Sequence, residues 1–311
     1  MKKVFLFILF TTAIVGITDI ALGHIINSYV RTHQLPGRYQ QYDKLIRQVE
    51  SDILFIGNSA IQNGIDPFVI EDSLKLSCYN GGIMGQGPDF FETMVDCALQ
   101  RYTPKIIVLG FRPEEMGEGV GDGIYDILRP YYHIGFPSID NHINNVSKSE
   151  QILLNSSLYR YNGIWVRILL NGLYNKEQYS EKGGLMNETP AVLPTLKDIT
   201  SVDVPVQRKT DCIKHIIQKC KSNGVKVLVC FPPTLQHFTH TPLPCIEAVK
   251  QICEENGIMC FVDFDNPDYQ QSTELFYDNN HLNKNGARIY SSLMASRIKK
   301  NYITKSKRHE G

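Results

Sequence analysis

Asp52-Ile53-Leu54-Phe55-Ile56 runs straight into Gly57-Asn58-Ser59-Ala60, and this junction decides the reading of the chain. The first five residues are β-branched or large and apolar without alternation, the pattern of a strand covered on both faces. A serine just past a strand, after a glycine that allows a tight turn, can project its hydroxyl above a sheet. Gly-Asn-Ser is also an ordinary turn, so the junction alone leaves both readings open. Outward from it the same short apolar run recurs at 76–79, 105–109, 225–231 and 258–264.

Amphipathic stretches separate these runs. Asp66-Pro67 is an N-cap followed by proline at the first helical position, opening a helix to about Lys75. Gly87-Pro88 opens another, with Phe91, Met94, Val95 and Ala98 on one face. Helices are predicted over 206–223, with Ile213, Ile216, Ile217 and Cys220 inward, over 245–255, and over 284–300 behind Asn283. Alternating strands and helices predict a three-layer α/β domain of flavodoxin-like type around a parallel five-stranded sheet.

In such a sheet reactive groups belong at the carboxyl ends of strands. The second run ends in Asn80-Gly81-Gly82-Ile83-Met84-Gly85-Gln86-Gly87. Exposed backbone N–H groups in such a glycine-rich loop can stabilise an oxyanion. It has neither the Lys-Ser/Thr of a phosphate loop nor dinucleotide-binding spacing, and a plain flexible turn is the other reading. After the fifth run comes Tyr277-Asp278-Asn279-Asn280-His281-Leu282-Asn283, ahead of the last helix. Asp278, three residues before His281, can accept the imidazole N–H, fix its tautomer and leave the other nitrogen as a base. Asp263 and Asp265 are alternative orienters. The order Ser, Asp, His suits a nucleophilic serine hydrolase on an open sheet.

On these residues the chain resembles the SGNH (GDSL-like) hydrolase superfamily. Gly57-Asn58-Ser59 matches its first block, usually Gly-Asp-Ser; Asn80-x-Gly82-x-x-Gly85 resembles the second; Asp278-x-x-His281 matches the last. The resemblance spans about 52–298 and implies Ser59 as nucleophile, His281 as base and Asp278 as its orienter. It implies the Ser59 and Gly85 amides as the oxyanion hole. One block departs: where the family has Gly-x-Asn-Asp, this chain has Gly110-Phe111-Arg112-Pro113. Arg112 can bind the oxyanion or a substrate anion, or it can pair with Glu114 or Glu115 and leave the hole incomplete. The departure, the N-terminal apolar run and Phe-x-Asp-x-x-His-Leu-Asn look like the membrane-anchored, DltD-like or alginate-acetylation-like branch. Members of that branch act outside the membrane on acyl groups of surface polymers, often beside a membrane-bound O-acyltransferase.

The chain has 311 residues, with 32 Lys+Arg against 32 Asp+Glu. A net charge of zero without a basic block in the body argues against nucleic-acid binding. Lys2 and Lys3 precede an apolar run, and 4–23 as helix would span about 30 Å, a bilayer core. Lysines before the run predict the body on the extracytoplasmic side. Ala21-Leu22-Gly23 also fits a cleaved signal peptide. The organisation read from the sequence is an anchor or signal at 1–27, a linker and short helix at 28–50 (the helix over 42–50), and an SGNH-like domain at 51–311. That domain carries an aromatic-rich insertion at about 112–205 holding Trp165, Tyr174 and Tyr179, with a helix near 152–170. The insertion reads either as a lid or as extra packing.

The eight cysteines show no CxxC and no zinc spacing; Cys78, Cys230 and Cys260 read as core. His237 and His240 form an HxxH off a helix, which reads as surface histidine. No metal or other cofactor is expected. The functional expectation is a membrane-anchored serine esterase or O-acyltransferase acting on acyl, chiefly acetyl, esters of exported polysaccharide. The alternative is a non-catalytic SGNH-like partner that binds glycan or a membrane-bound O-acyltransferase.

Overall fold

The computed structural model describes residues 1–32, 38–119, 125–146, 148–164, 166, 180–200, 203–239 and 243–303. The strands are β1 (Ile53–Gly57), β2 (Cys78–Gly82), β3 (Ile106–Gly110), β4 (Lys197–Ile199), β5 (Lys226–Phe231), β6 (Gln236–Phe238) and β7 (Met259–Val262). Five of them form one parallel sheet in the order β2-β1-β3-β5-β7, and β4 and β6 pair separately. The chain is therefore an α/β protein with a parallel five-stranded sheet, as its alternation predicts. Strand order reverses at β1, the place where open α/β sheets leave a crevice beyond their carboxyl ends.

That crevice is floored by glycine. Gly57 pairs with Gly82 on one side and Gly110 on the other. A Cβ at Gly110 would stand 2.1 Å from the Ile61 side chain, and one at Gly57 would stand 2.6 Å from the Gly110 carbonyl oxygen. Bare strand ends let the short helix Ser59–Gly64 lie directly on the crest of the sheet, with Ile61 fully buried.

β2 starts two residues later than predicted and takes in Asn80-Gly81-Gly82, read from the sequence as loop. These residues pair in register with Phe55, Ile56 and Gly57, and that long-range pairing outweighs their weak strand propensity. β1, β2 and β3 are buried throughout, but β7 is an edge strand with Met259 and Val262 exposed, so the expected cover on both faces fails there. Cys260, expected in the core, is only half-buried for the same reason.

The predicted helices form as Pro67–Leu74, Pro88–Arg101, Gln207–Ser222, Pro244–Glu255 and Lys284–Ile298. Asp66 caps the first by accepting the Phe68 N–H at 3.1 Å, and Asn283 caps the last by accepting from Asn285 and Gly286. The helix expected at 42–50 lies earlier, at Arg38–Arg47.

The chain divides into two compact units. One comprises Met1–Tyr42 with Ile124–Glu177, and the other Asp43–Gly123 with Gln178–Gly311. The stretch expected as a single insertion is thus divided between the two units, and its ends belong to the sheet unit. A helix Pro137–Val146 precedes the stretch 152–170, where a helix is expected. Within that stretch the described residues hold the end of the helix Lys148–Leu153 and the single turn Tyr159–Tyr161, while Trp165 and 167–170 lie outside the described residues, as do Tyr174 and Tyr179. In the first unit Lys2–Thr32 is one continuous helix. An 18-residue window within its Lys2–Tyr29 stretch has a mean hydropathy of 2.2, and this is the one helix among the described residues long and apolar enough to cross a membrane.

Candidate active site

Ser59 opens the crest helix, and His281 reaches it across 222 positions of sequence: His281 Nε2 lies 2.8 Å from Ser59 Oγ. His281 Nδ1 lies 2.9 Å from each oxygen of the Asp278 carboxylate. An imidazole nitrogen facing a carboxylate carries the proton, so Nε2 is left as acceptor for the serine hydroxyl. Asp278 is itself fixed, because its Oδ1 accepts the N–H groups of Asn280 at 2.8 Å and His281 at 2.9 Å. Burial pushes the Asp278 carboxyl up. The hydrogen bond and charge of His281, with the two backbone N–H groups, outweigh burial and hold it below its ordinary 3.8.

Asn58 caps the crest helix, its Oδ1 accepting the Ala60 N–H at 2.7 Å. Its amide nitrogen donates to Glu115, a residue whose place in the site the sequence does not announce. The other oxygen of Glu115 accepts the Arg112 backbone N–H at 3.1 Å. Burial pushes the Glu115 carboxyl up to about 8, against the pull of the Asn58 amide. Asn58 thus holds the serine turn.

The oxyanion side is built around Gln62 and Asn80. The Asn80 amide donates to the carbonyls of Ile61 and Ile65, both at 2.8 Å, and its Oδ1 accepts the Gly82 N–H at 2.9 Å. Asn80 and Gly82 thus spend these donors inside the protein, and together they fasten the crest helix to β2. Gln62 Oε1 accepts the Met84 N–H at 2.9 Å and holds the next loop. Gly85 follows at φ +74°, a left-handed conformation that favours glycine, and its N–H makes no hydrogen bond among the described residues. The Ser59 N–H, at the first position of a helix, likewise has no intrahelical acceptor. Both amides keep a donor.

Arg112 binds within the protein through one nitrogen, and its buried Nε has no hydrogen-bond partner among the described residues. One guanidinium nitrogen donates to Asn280 Oδ1 at 2.9 Å and pairs with Glu114. Asn280 Oδ1 also accepts from Gln236 Nε2 at 2.6 Å, so Asn280, the residue before His281, joins Arg112 to β6. Beside this cluster lies a cavity of about 160 Å³ lined by Pro113, Glu114, Gln236, Phe238, Leu243 and Cys245. The return of the chain through 180–200 braces the crest helix: the Leu185 N–H donates to the Gln62 carbonyl at 2.8 Å, and the Asn187 amide donates to Asn63 Oδ1 at 2.8 Å.

The alternative orienters are occupied. Asp263 pairs with Arg297 through both oxygens, and Asp265 accepts from Gln270 and lies 3.5 Å from His237. His237 is exposed, and His240 lies outside the described residues. Among the described residues no three His, Cys, Asp or Glu side chains gather as a metal site.

No protein-family model and no curated protein matches the chain. Similar solved structures include a lipase/acylhydrolase from Enterococcus faecalis, at 10% identity over 80% of this chain and 95% of that one, with a TM-score of 0.40. They also include a catalytic mutant of Axe2, an acetylxylan esterase from Geobacillus stearothermophilus, at 12% identity over 79% of this chain and 93% of that one, with a TM-score of 0.40. At such identities and TM-scores the likeness assigns no activity, and the chemistry of this chain rests on its own geometry.

Proposed function

We propose that the protein is an SGNH-like serine esterase or O-acyltransferase, anchored by its N-terminal helix with its body outside the membrane. Its substrate class is the acyl, chiefly acetyl, esters of exported polysaccharide. The observation that carries the proposal is the continuous Asp278–His281–Ser59 chain. The Ser59 oxygen attacks the ester carbonyl as His281 Nε2 takes the hydroxyl proton, and Asp278 stabilises the imidazolium that forms. The Ser59 and Gly85 amides receive the negative oxygen of the tetrahedral intermediate. Collapse expels the sugar alkoxide, which takes the proton from His281, and leaves an acyl-enzyme. Water or a second sugar hydroxyl then gives its proton to His281 and takes the acyl group, and His281 returns that proton to the departing Ser59 oxygen.

The test is acetate release from acetylated oligosaccharides by the full chain, with and without an unacetylated acceptor glycan, beside Ser59→Ala. Release from the wild type alone supports the esterase, and acyl transfer to the acceptor supports the transferase. A second reading, a non-catalytic glycan-binding subunit beside a membrane-bound O-acyltransferase, is favoured by the engagement of Arg112 with Glu114 and Asn280. Unchanged glycan binding by Ser59→Ala with no turnover by the wild type supports it.

A further inference from the structure

The N-terminal helix carries one acid inside its apolar stretch, and that acid is not left to lipid. Ser156 Oγ donates to Asp19 Oδ1 at 2.6 Å, the Ser157 N–H donates to Oδ2 at 2.7 Å, and the Leu158 N–H donates to Oδ1 at 3.1 Å. One turn further along, Gly23 is buried, and a Cβ there would stand 2.1 Å from the Ser157 Cβ. Only glycine lets the loop lie so close. Another turn on, the Tyr161 hydroxyl donates to Asn27 Oδ1 at 3.0 Å, and Ile26 packs against Tyr161 and Ile164. Asp19, Gly23 and Ile26–Asn27 follow the spacing of a single helix face.

The depth of this contact follows from helix geometry. Asp19 lies about 6 Å from Gly23, where the apolar stretch closes, so the docked segment sits at the outer boundary of the membrane. The residues flanking it are bare: Ile152 is 76% exposed, Leu153 45% and Val166 43%. Lys148, also exposed, opens the short helix that carries Ile152 and Leu153. Large apolar side chains with a nearby cation, next to a helix end, are the composition of an interfacial element.

We propose that segment 148–164 is a lipid-interface element, docked on the N-terminal helix through Asp19 and seating Ile152 and Leu153 in the outer leaflet. Lipid is the occupant because these side chains adjoin a helix that is itself apolar and exposed on nearly all sides. The inference rests on the membrane-anchor reading and deepens it. Cleavage after Gly23 would remove Asp19 and leave the Ser157 and Leu158 amides without their acceptor, so the helix is kept as part of the mature fold.

The test is Ile152→Trp in a Trp165→Phe background, with the full chain in lipid nanodiscs. Spin labels near the head of the acyl chain should quench the new tryptophan about twofold, with weaker quenching by labels at the chain end and by aqueous iodide. Full iodide quenching without lipid quenching overturns the proposal. So does protection that occurs in native membranes but not in pure lipid, which would assign the face to an integral protein. Asp19→Leu should abolish the lipid quenching while the protein stays in the membrane, and Asp19→Asn should restore part of it; unchanged quenching in Asp19→Leu overturns the docking. Failure of the anchor reading is separate and visible: a mature mass beginning after Gly23, or release of the protein by alkaline carbonate.

Discussion

Two carboxylates lie in the late part of the sheet unit, and they differ in what holds them. Asp263, just past β7, is buried; Arg297 grips both of its oxygens, and the Tyr290 hydroxyl donates to it at 3.3 Å. Asp278 is more exposed and holds an imidazole instead. A guanidinium is charged at every relevant pH and has no acceptor to pass on, so the first pair is static. An imidazole held at Nδ1 still offers Nε2, so the second pair transmits its polarisation to Ser59. The partner decides which carboxylate can do chemistry.

Exchange at the reacting atoms should have the largest effect. Ser59→Ala and His281→Ala, measured on ester turnover, should each lower kcat on the order of 10⁶-fold, with no further loss when combined. Next comes the comparison itself. Asp278→Asn should lower kcat about 10⁴-fold by releasing the His281 tautomer, with little change in thermal unfolding. Asp263→Asn should leave kcat per folded molecule near the wild type and destabilise the fold by about 1–3 kcal/mol, because the half-buried Arg297 loses a charged hydrogen-bond partner. A crossed pattern, stability lost at Asp278 and turnover lost at Asp263, breaks the account. Because the Asp278 carboxyl stands below 3.8 in the fold, its stabilising share is present above that value and is lost as pH falls through the folded value.

Glu115 sharpens the comparison with a carboxyl of the opposite sign. Burial raises it to about 8, so between its ordinary 4.5 and about 8 the folded chain binds a proton that the unfolded chain has released. Stability therefore falls as pH rises through that window. Glu115→Gln should flatten this slope in denaturant titrations run at several pH values. It should also cost about 1–3 kcal/mol, since one of the two donors facing Glu115 loses its acceptor. The smallest loss of turnover belongs to Arg112→Ala. Acting through Asn280, it should lower kcat/KM by about tenfold, and the loss of a mostly buried guanidinium should cost about 1–3 kcal/mol of stability.

Legibility in the sequence followed the distance over which each feature is determined. β1 and its Ser59 turn, the Asn283 cap and the Asp278–His281 pair are set within a few residues, and all were readable. The late start of β2 was not, because Asn80-Gly81-Gly82 become strand only by pairing with β1. Glu115 meets Asn58 across 57 positions and Arg112 meets Asn280 across 168, with no spacing signal at either end. Asn80 and Gly82 matched a motif by type, yet the structure spends their donors on the fold. The boundary at 112–205 was drawn from composition, and composition does not show that the chain leaves and re-enters one compact unit inside that stretch.

The most direct measurement is intact-mass analysis of the full chain after treatment with a fluorophosphonate, beside Ser59→Ala and His281→Ala. The account predicts one adduct on the wild type, mapped to Ser59, and none on either variant. An adduct that persists in Ser59→Ala, or a folded wild type that takes none, would contradict it.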